Sequence, residues 1–162
     1  MCGSDLLKIM GVVLLVLLMG LIQVSFTVLE IKDVVPNLVL ITVFIVGFLE
    51  IRSKSHLGWR SFSAVIAGGV LLDIYSTLPL GTEALMMLGV VLATEAVLQF
   101  LDKINFVVFL GLFVPLLVVY QIVFNFLSFG SFGLSWFALV YNLSLAILLY
   151  IICFLGKIFE KK

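Results

Sequence analysis

The sequence predicts an all-α integral membrane protein: a compact bundle of six transmembrane helices forming a single domain over residues 1–162. Three observations lead there. Hydrophobic residues make up 64% of the chain and charged residues 11%, against about 25% charged in an ordinary soluble domain, and the mean hydropathy is +1.39. The apolar residues fall in long continuous runs rather than in the apolar/polar alternation of barrel strands, and such runs satisfy their own backbone in lipid as helices. Charges and turn residues cut the chain into six of these runs, roughly 6–26, 34–50, 60–76, 83–101, 104–127 and 134–156, near the length of about 20 residues that crosses a hydrocarbon core.

Each segment carries local support. The first is followed by "TVLEIKD" and not by a small-residue cleavage site, so it reads as a retained helix and not a cleaved leader. Pro36 stands at the start of the second, where a missing N–H costs little. In the third, Ala64 and Gly68 are four apart, as are Gly89 and Ala93 in the fourth. Small residues at this spacing let helix backbones approach, so segments three and four are expected to pair as a tight antiparallel hairpin. Thr82 is placed to cap the fourth segment, with Glu83 in its first turn. Pro115 falls within the fifth, where a kink is expected. Short connections leave no room for a soluble appendage.

Orientation follows from the basic residues. With the N-terminus in the cytoplasm, eight of the nine fall on the inner side, around Lys8, the 52–60 loop, Lys103 and Lys157–Lys162; only Lys32 falls outside. Both termini are therefore expected to be cytoplasmic, with Glu30, Asp33, Asp73 and Glu83 towards the outer face. Trp59 and Trp136 then lie near opposite interfaces, as in an aromatic belt.

The polar residues within the apolar runs are the candidate functional groups. Gln121, Asn125 and Ser128 share one face of segment five, and Ser135 and Asn142 share one face of segment six. Facing stripes of this kind hydrogen-bond across helices; their functional counterpart is the lining of a small-molecule pocket. Glu95, Gln99 and Asp102 form a stripe near the inner end of segment four, where Lys103 or the basic 52–60 loop is expected to pair with Glu95. Asp73 reads either as a snorkelling acid or as an anchor whose carboxylate accepts the free N–H groups at the start of segment four, with Gly81 supplying a positive φ at the re-entry. His56 sits in a basic loop suited to anionic headgroups, without the converging ligands of a metal site.

Composition and motif content also exclude. A net charge of zero gives no field for nucleic acid. Cys153, within an apolar run, and Cys2 make no disulfide framework. No nucleophile–base pair or phosphate-binding loop is present, so neither catalysis nor a cofactor is expected.

Gly68-Gly69, Asp73, Ser76, Pro79-Leu80-Gly81 and Ala84-Leu85 resemble the signature of the bacterial rod-shape-determining MreD family, G-x-x-x-D-x-x-S followed by P-L-G-x-x-A-L. Pro36-Asn37-Leu38 is similar to that family's usual start of the second helix. Glu83 is more acidic than usual there. The resemblance implies a non-enzymatic scaffold in the bacterial inner (cytoplasmic) membrane, part of the elongation machinery that maintains rod shape. Its implied partners are MreC directly, and MreB and the wall-synthesis polymerase and transpeptidase within the same complex. It also implies a fold similar to the substrate-binding subunits of energy-coupling-factor transporters. The alternative function is accordingly a vitamin-like small-molecule-binding subunit of a transporter, and the two differ in whether the polar stripes line a pocket.

Overall fold

The computed structural model describes residues 3–28, 37–76, 78–101, 105–130, 132 and 134–160. Pro36, Asp102, Lys103 and the acids and lysine of the 29–36 stretch lie outside them. The described chain forms six helices and, among those residues, no strand: α1 (Gly3–Val28), α2 (Leu38–Lys54), α3 (Trp59–Tyr75), α4 (Thr82–Leu98), α5 (Phe106–Phe129) and α6 (Trp136–Glu160). Three stretches, Leu6–Ser25, Phe106–Phe129 and Trp136–Cys153, are long and apolar enough to cross a membrane. The 17-residue helices α2, α3 and α4 are each about 25 Å long at 1.5 Å per residue.

The boundary that differs most from expectation is that of α2. Its start, expected near residue 34, falls after Asn37, because the Asn37 side chain caps the helix: Oδ1 accepts the Leu40 N–H at 2.9 Å. Its end runs past Glu50 to Lys54. Arg52 and Lys54 occupy the last turn, where cations suit the helix dipole, and Ser55 closes it in the left-handed region at φ 65°. α5 runs through Pro115 as one helix.

Cross-helix contacts fix an alternating up-and-down order. Gln23 near the end of α1 accepts the N–H of Val39 at the start of α2. Glu50 near the end of α2 meets Ser61 at the start of α3, and Asp73 near the end of α3 meets the start of α4. One end of the bundle therefore gathers Gln23, Asn37, Asp73 and Glu83. The other gathers Glu50, Arg52, Leu57 and Glu95. Trp59 and Trp136 begin α3 and α6 at opposite ends, both well exposed.

α2 is the axis. Nearly every residue from Leu38 to Ile51 is buried, as expected of a helix apolar all round. It packs on α1, α3, α4 and α6. The outer helices each present one stripe to the interior: Phe109, Phe113, Leu117 and Tyr120 on α5, and Leu139, Asn142, Ala146 and Tyr150 on α6. These spacings of three and four place each set on one helix face. Large rings bridge α2 to α5 and α6. Phe44 lies 5.0 Å from Phe113, and Phe109 lies 5.2 Å from Phe48 and 4.4 Å from Tyr150, centroid to centroid. Outward faces are apolar too, with Leu7, Met10, Leu14 and Leu21 exposed along α1, which suits contact with lipid.

α3 and α4 do pair closely, but not through the expected residues. Gly68 faces α1 and α2: a Cβ there would stand 2.6 Å from Val39 Cγ1 and 3.1 Å from Val16 Cγ1. Ala64 is fully buried. Gly89 is exposed, with nothing within 4 Å of where its Cβ would be, and Ala93 is only half-buried. The close approach to α4 is made by Gly69, whose Cβ would collide with Ala84, 2.5 Å from its Cβ and 2.7 Å from its backbone N. One residue along a helix turns the face by about 100°, and α3 is wedged between neighbours on both sides, so Gly68 and Gly69 serve different partners.

Candidate functional site

The turn between α3 and α4 is organised by Asp73. Its side chain is buried, and its two oxygens are both occupied: Gly81 N–H donates to Oδ2 at 2.7 Å and Glu83 N–H donates to Oδ1 at 2.9 Å. These donors are among those that a helix start leaves without intrahelical partners. The N-cap of α4 is Gly81, at φ +94°, and it has no capping side chain of its own. Thr82 is thus the first helical residue rather than the cap; the capping carboxylate arrives from the preceding helix. Pro79 and Leu80 form the exposed crest of the turn, Ser76 Oγ accepts the Leu78 N–H at 3.3 Å, and Thr82 N–H donates to Pro79 O at 3.1 Å.

The opposite end repeats the device. Gly58, the N-cap of α3, has no side chain to offer, and Glu50 of α2 accepts the Ser61 N–H at 2.9 Å and the Ser61 hydroxyl at 2.6 Å, with Lys54 Nζ at 3.2 Å. Glu95 accepts the backbone N–H of Leu57, in the 52–60 loop, at 2.9 Å, while Lys103, the other expected partner, lies outside the described residues. Gln99 lies exposed at the end of α4, and His56 is exposed. In each case a backbone N–H that lipid cannot satisfy receives a carboxylate from another element.

Beside the Asp73 turn lies a buried polar network. The Tyr120 hydroxyl donates to Glu83 Oε2, and Asn37 Nδ2 donates to the Tyr120 oxygen at 3.1 Å. Asn37 N–H donates to Asn142 Oδ1 at 2.7 Å, and Asn142 Nδ2 donates to Ala138 O at 2.7 Å. The network ties α2, α4, α5 and α6 together at one end.

It borders a cavity of about 700 Å³, within the range of about 300–1,000 Å³ usual for ligand sites. Gln121, Asn125, Ser135 and Asn142 all line it, with Glu83, Tyr120, Asn37 and Gln23. Residues of both polar stripes therefore line one cavity. Asn142 turns to α2, and Ser135 Oγ accepts the Ala138 N–H at the start of α6, at 3.4 Å. Gln121 Oε1 and Ser128 Oγ are buried without a hydrogen-bond partner among the described residues. Tyr75, Phe124, Phe129, Leu72 and Leu117 supply the apolar wall.

Sequence reasoning passed over Tyr120 and Glu50, and gave Gly69 a place in the motif but no packing role. Tyr120 continues the Phe109–Phe113–Leu117 face, so its ring reads as core, and only its hydroxyl betrays a polar partner. Glu50 sits at the edge of an apolar run and resembles a boundary charge. Gly69 stands beside Gly68, and spacing alone does not say which of two adjacent glycines meets which helix.

No family model, curated protein or solved structure matches the chain.

Proposed function

We propose that this chain is a six-span scaffold subunit of the bacterial elongation machinery, similar to the MreD family, docking on MreC in the cytoplasmic membrane and helping to position lateral wall synthesis. One observation carries the reading. The residues on which the resemblance rests are mutually dependent: Gly69 packs on Ala84, Asp73 holds the N–H groups of Gly81 and Glu83, and Pro79 and Leu80 are lifted into an exposed crest. Asn37 caps α2 and joins the same end through Tyr120. A motif that folds into one rigid turn with an exposed tip is what a docking element requires. The fold would then be similar to that of energy-coupling-factor substrate-binding subunits, and all six helices would cross the membrane with both termini in the cytoplasm.

With short connections, the partner must be met by helix faces and turns, since an independent soluble core takes about 40 residues or more. A single-pass partner helix packs best on a small-residue face, and Gly89 leaves such a gap open on α4. Its juxtamembrane part then reaches the Pro79–Leu80 crest. Contact of this kind relies on packing more than on exposed charge, so it should resist salt.

The tagged chain, solubilised in mild detergent, is expected to retain MreC after a high-salt wash, and its depletion should turn rods into spheres. Recovery of a vitamin-like ligand and a transporter ATPase module, with cell shape unchanged, would assign the transport function instead. The cavity beside the turn is the feature that favours that second reading. Orientation is tested separately: a reporter active only in the cytoplasm should work after Lys162 and fail within the 128–133 loop.

A further inference from the structure

We infer that the cavity beside the Asp73 turn is a binding site for a primary ammonium group carried on an apolar body. This inference stands whether the chain is a scaffold or a transport subunit. It rests on an inventory of the polar atoms around the cavity. Among the described lining residues the one charged side chain is Glu83, and no Lys, Arg or His faces it. The N–H groups at the start of α4, which would otherwise attract an anion, are taken by Asp73. That second carboxylate, 2.9 Å from the backbone N of Glu83, adds negative potential to this end of the bundle.

Two acceptor groups stand out on this wall. The Tyr120 hydroxyl takes Glu83 Oε2. Gln121 Oε1 is buried without a partner. By contrast, the acceptor oxygens of Gln23, Asn37 and Asn142 are already filled by backbone N–H groups. An acid and an unpartnered buried amide oxygen, with no cationic side chain in the described lining, suit a ligand rich in donors. An ammonium offers three donors and no acceptor. The rings of Tyr75, Phe124 and Phe129 provide an apolar wall for the rest of the molecule and attract the cation by their faces. Two sources share this chemistry: a free amine entering from the outer side, and the headgroup of phosphatidylethanolamine.

The test uses the full chain in nanodiscs of phosphatidylcholine, whose headgroup carries no N–H. Three probes of similar size are titrated: 2-phenylethylammonium, 2-phenylethanol and phenylacetate. Saturable binding of the ammonium is expected, clearly tighter than of the alcohol or the acid. Glu83→Gln, which keeps an acceptor for Tyr120, should weaken ammonium binding by about tenfold to a hundredfold and leave alcohol binding unchanged. Ala138→Phe, on the cavity wall, should abolish binding of all three; should Glu83→Gln not fold, this variant and the charge order in the unmodified chain decide. Adding phosphatidylethanolamine to the discs separates the sources: competition with the probe assigns the headgroup, no competition assigns a free amine, and both support ammonium recognition. No saturable binding, equal affinity for phenylacetate, or ammonium affinity unchanged in the folded variants would overturn the inference.

Discussion

Replacing Asp73 by alanine is expected to lower thermal stability in detergent by about 10 °C and to reduce cellular abundance. The carboxylate accepts two backbone N–H groups, and hydrogen bonds to a charged group contribute about 1.5–3 kcal/mol each. Without it, both N–H groups at the start of α4 lose their partner in a buried setting. A net loss of about 3–4 kcal/mol, at roughly 2–4 °C per kcal/mol for a chain of this size, gives the figure. Asp73→Asn should fall between the two, since an amide keeps one acceptor but turns a donor towards the other N–H. Thermal unfolding followed by size-exclusion chromatography measures the shift. If Asp73→Asn kept both stability and abundance yet abolished rod shape, the carboxylate would be serving a partner and not the turn.

The second large effect is expected at Gly69. A side chain there would run into the Ala84 backbone, which cannot rotate away, so α3 and α4 would have to separate. Overpacking of this kind costs about 1–3 kcal/mol, and Gly69→Val should approach the upper value. Separation would also draw Asp73 away from Gly81 and Glu83, so the two substitutions should not be additive. The control is Gly89→Ala, twenty residues on, where the space is open and no loss of stability is expected. Equal melting temperatures for Gly69→Val and Gly89→Ala would show that the α3–α4 approach is looser than described.

Much of this was legible from the chain. Runs of apolar residues mark the helices because lipid leaves the backbone no alternative. Asp73 announces an anchor because an acid near the end of one helix, six residues before a Pro-Leu-Gly break, has the free donors of the next helix beyond it. What escaped has a common cause: sequence gives spacing along one helix but not the angle at which neighbours meet it. Hence Gly69 and not Gly68 meets α4, and Gly89 turns outward, while spacing left open whether the stripes on α5 and α6 pair or line a pocket. Tyr120 and Glu50 were hidden because their significance lies wholly in residues distant in sequence, Glu83 and Ser61.

The enclosure of α2 bears on how the chain matures. α2 leaves the ribosome second, yet the stripe of α6 that completes its sheath is made about a hundred residues later. Asn142, the acceptor for the Asn37 N–H, lies 105 positions downstream. Until then Phe44 and Phe48 lack the rings of Phe109, Phe113 and Tyr150, and the amide of Asn37 has no permanent acceptor. At a synthesis rate of about 5–20 residues per second, that interval lasts roughly 5–20 seconds. Nascent α1–α4 must therefore wait with a seam of α2 open. Arrival of α6, rather than formation of the early helices, is the step that closes the core around α2.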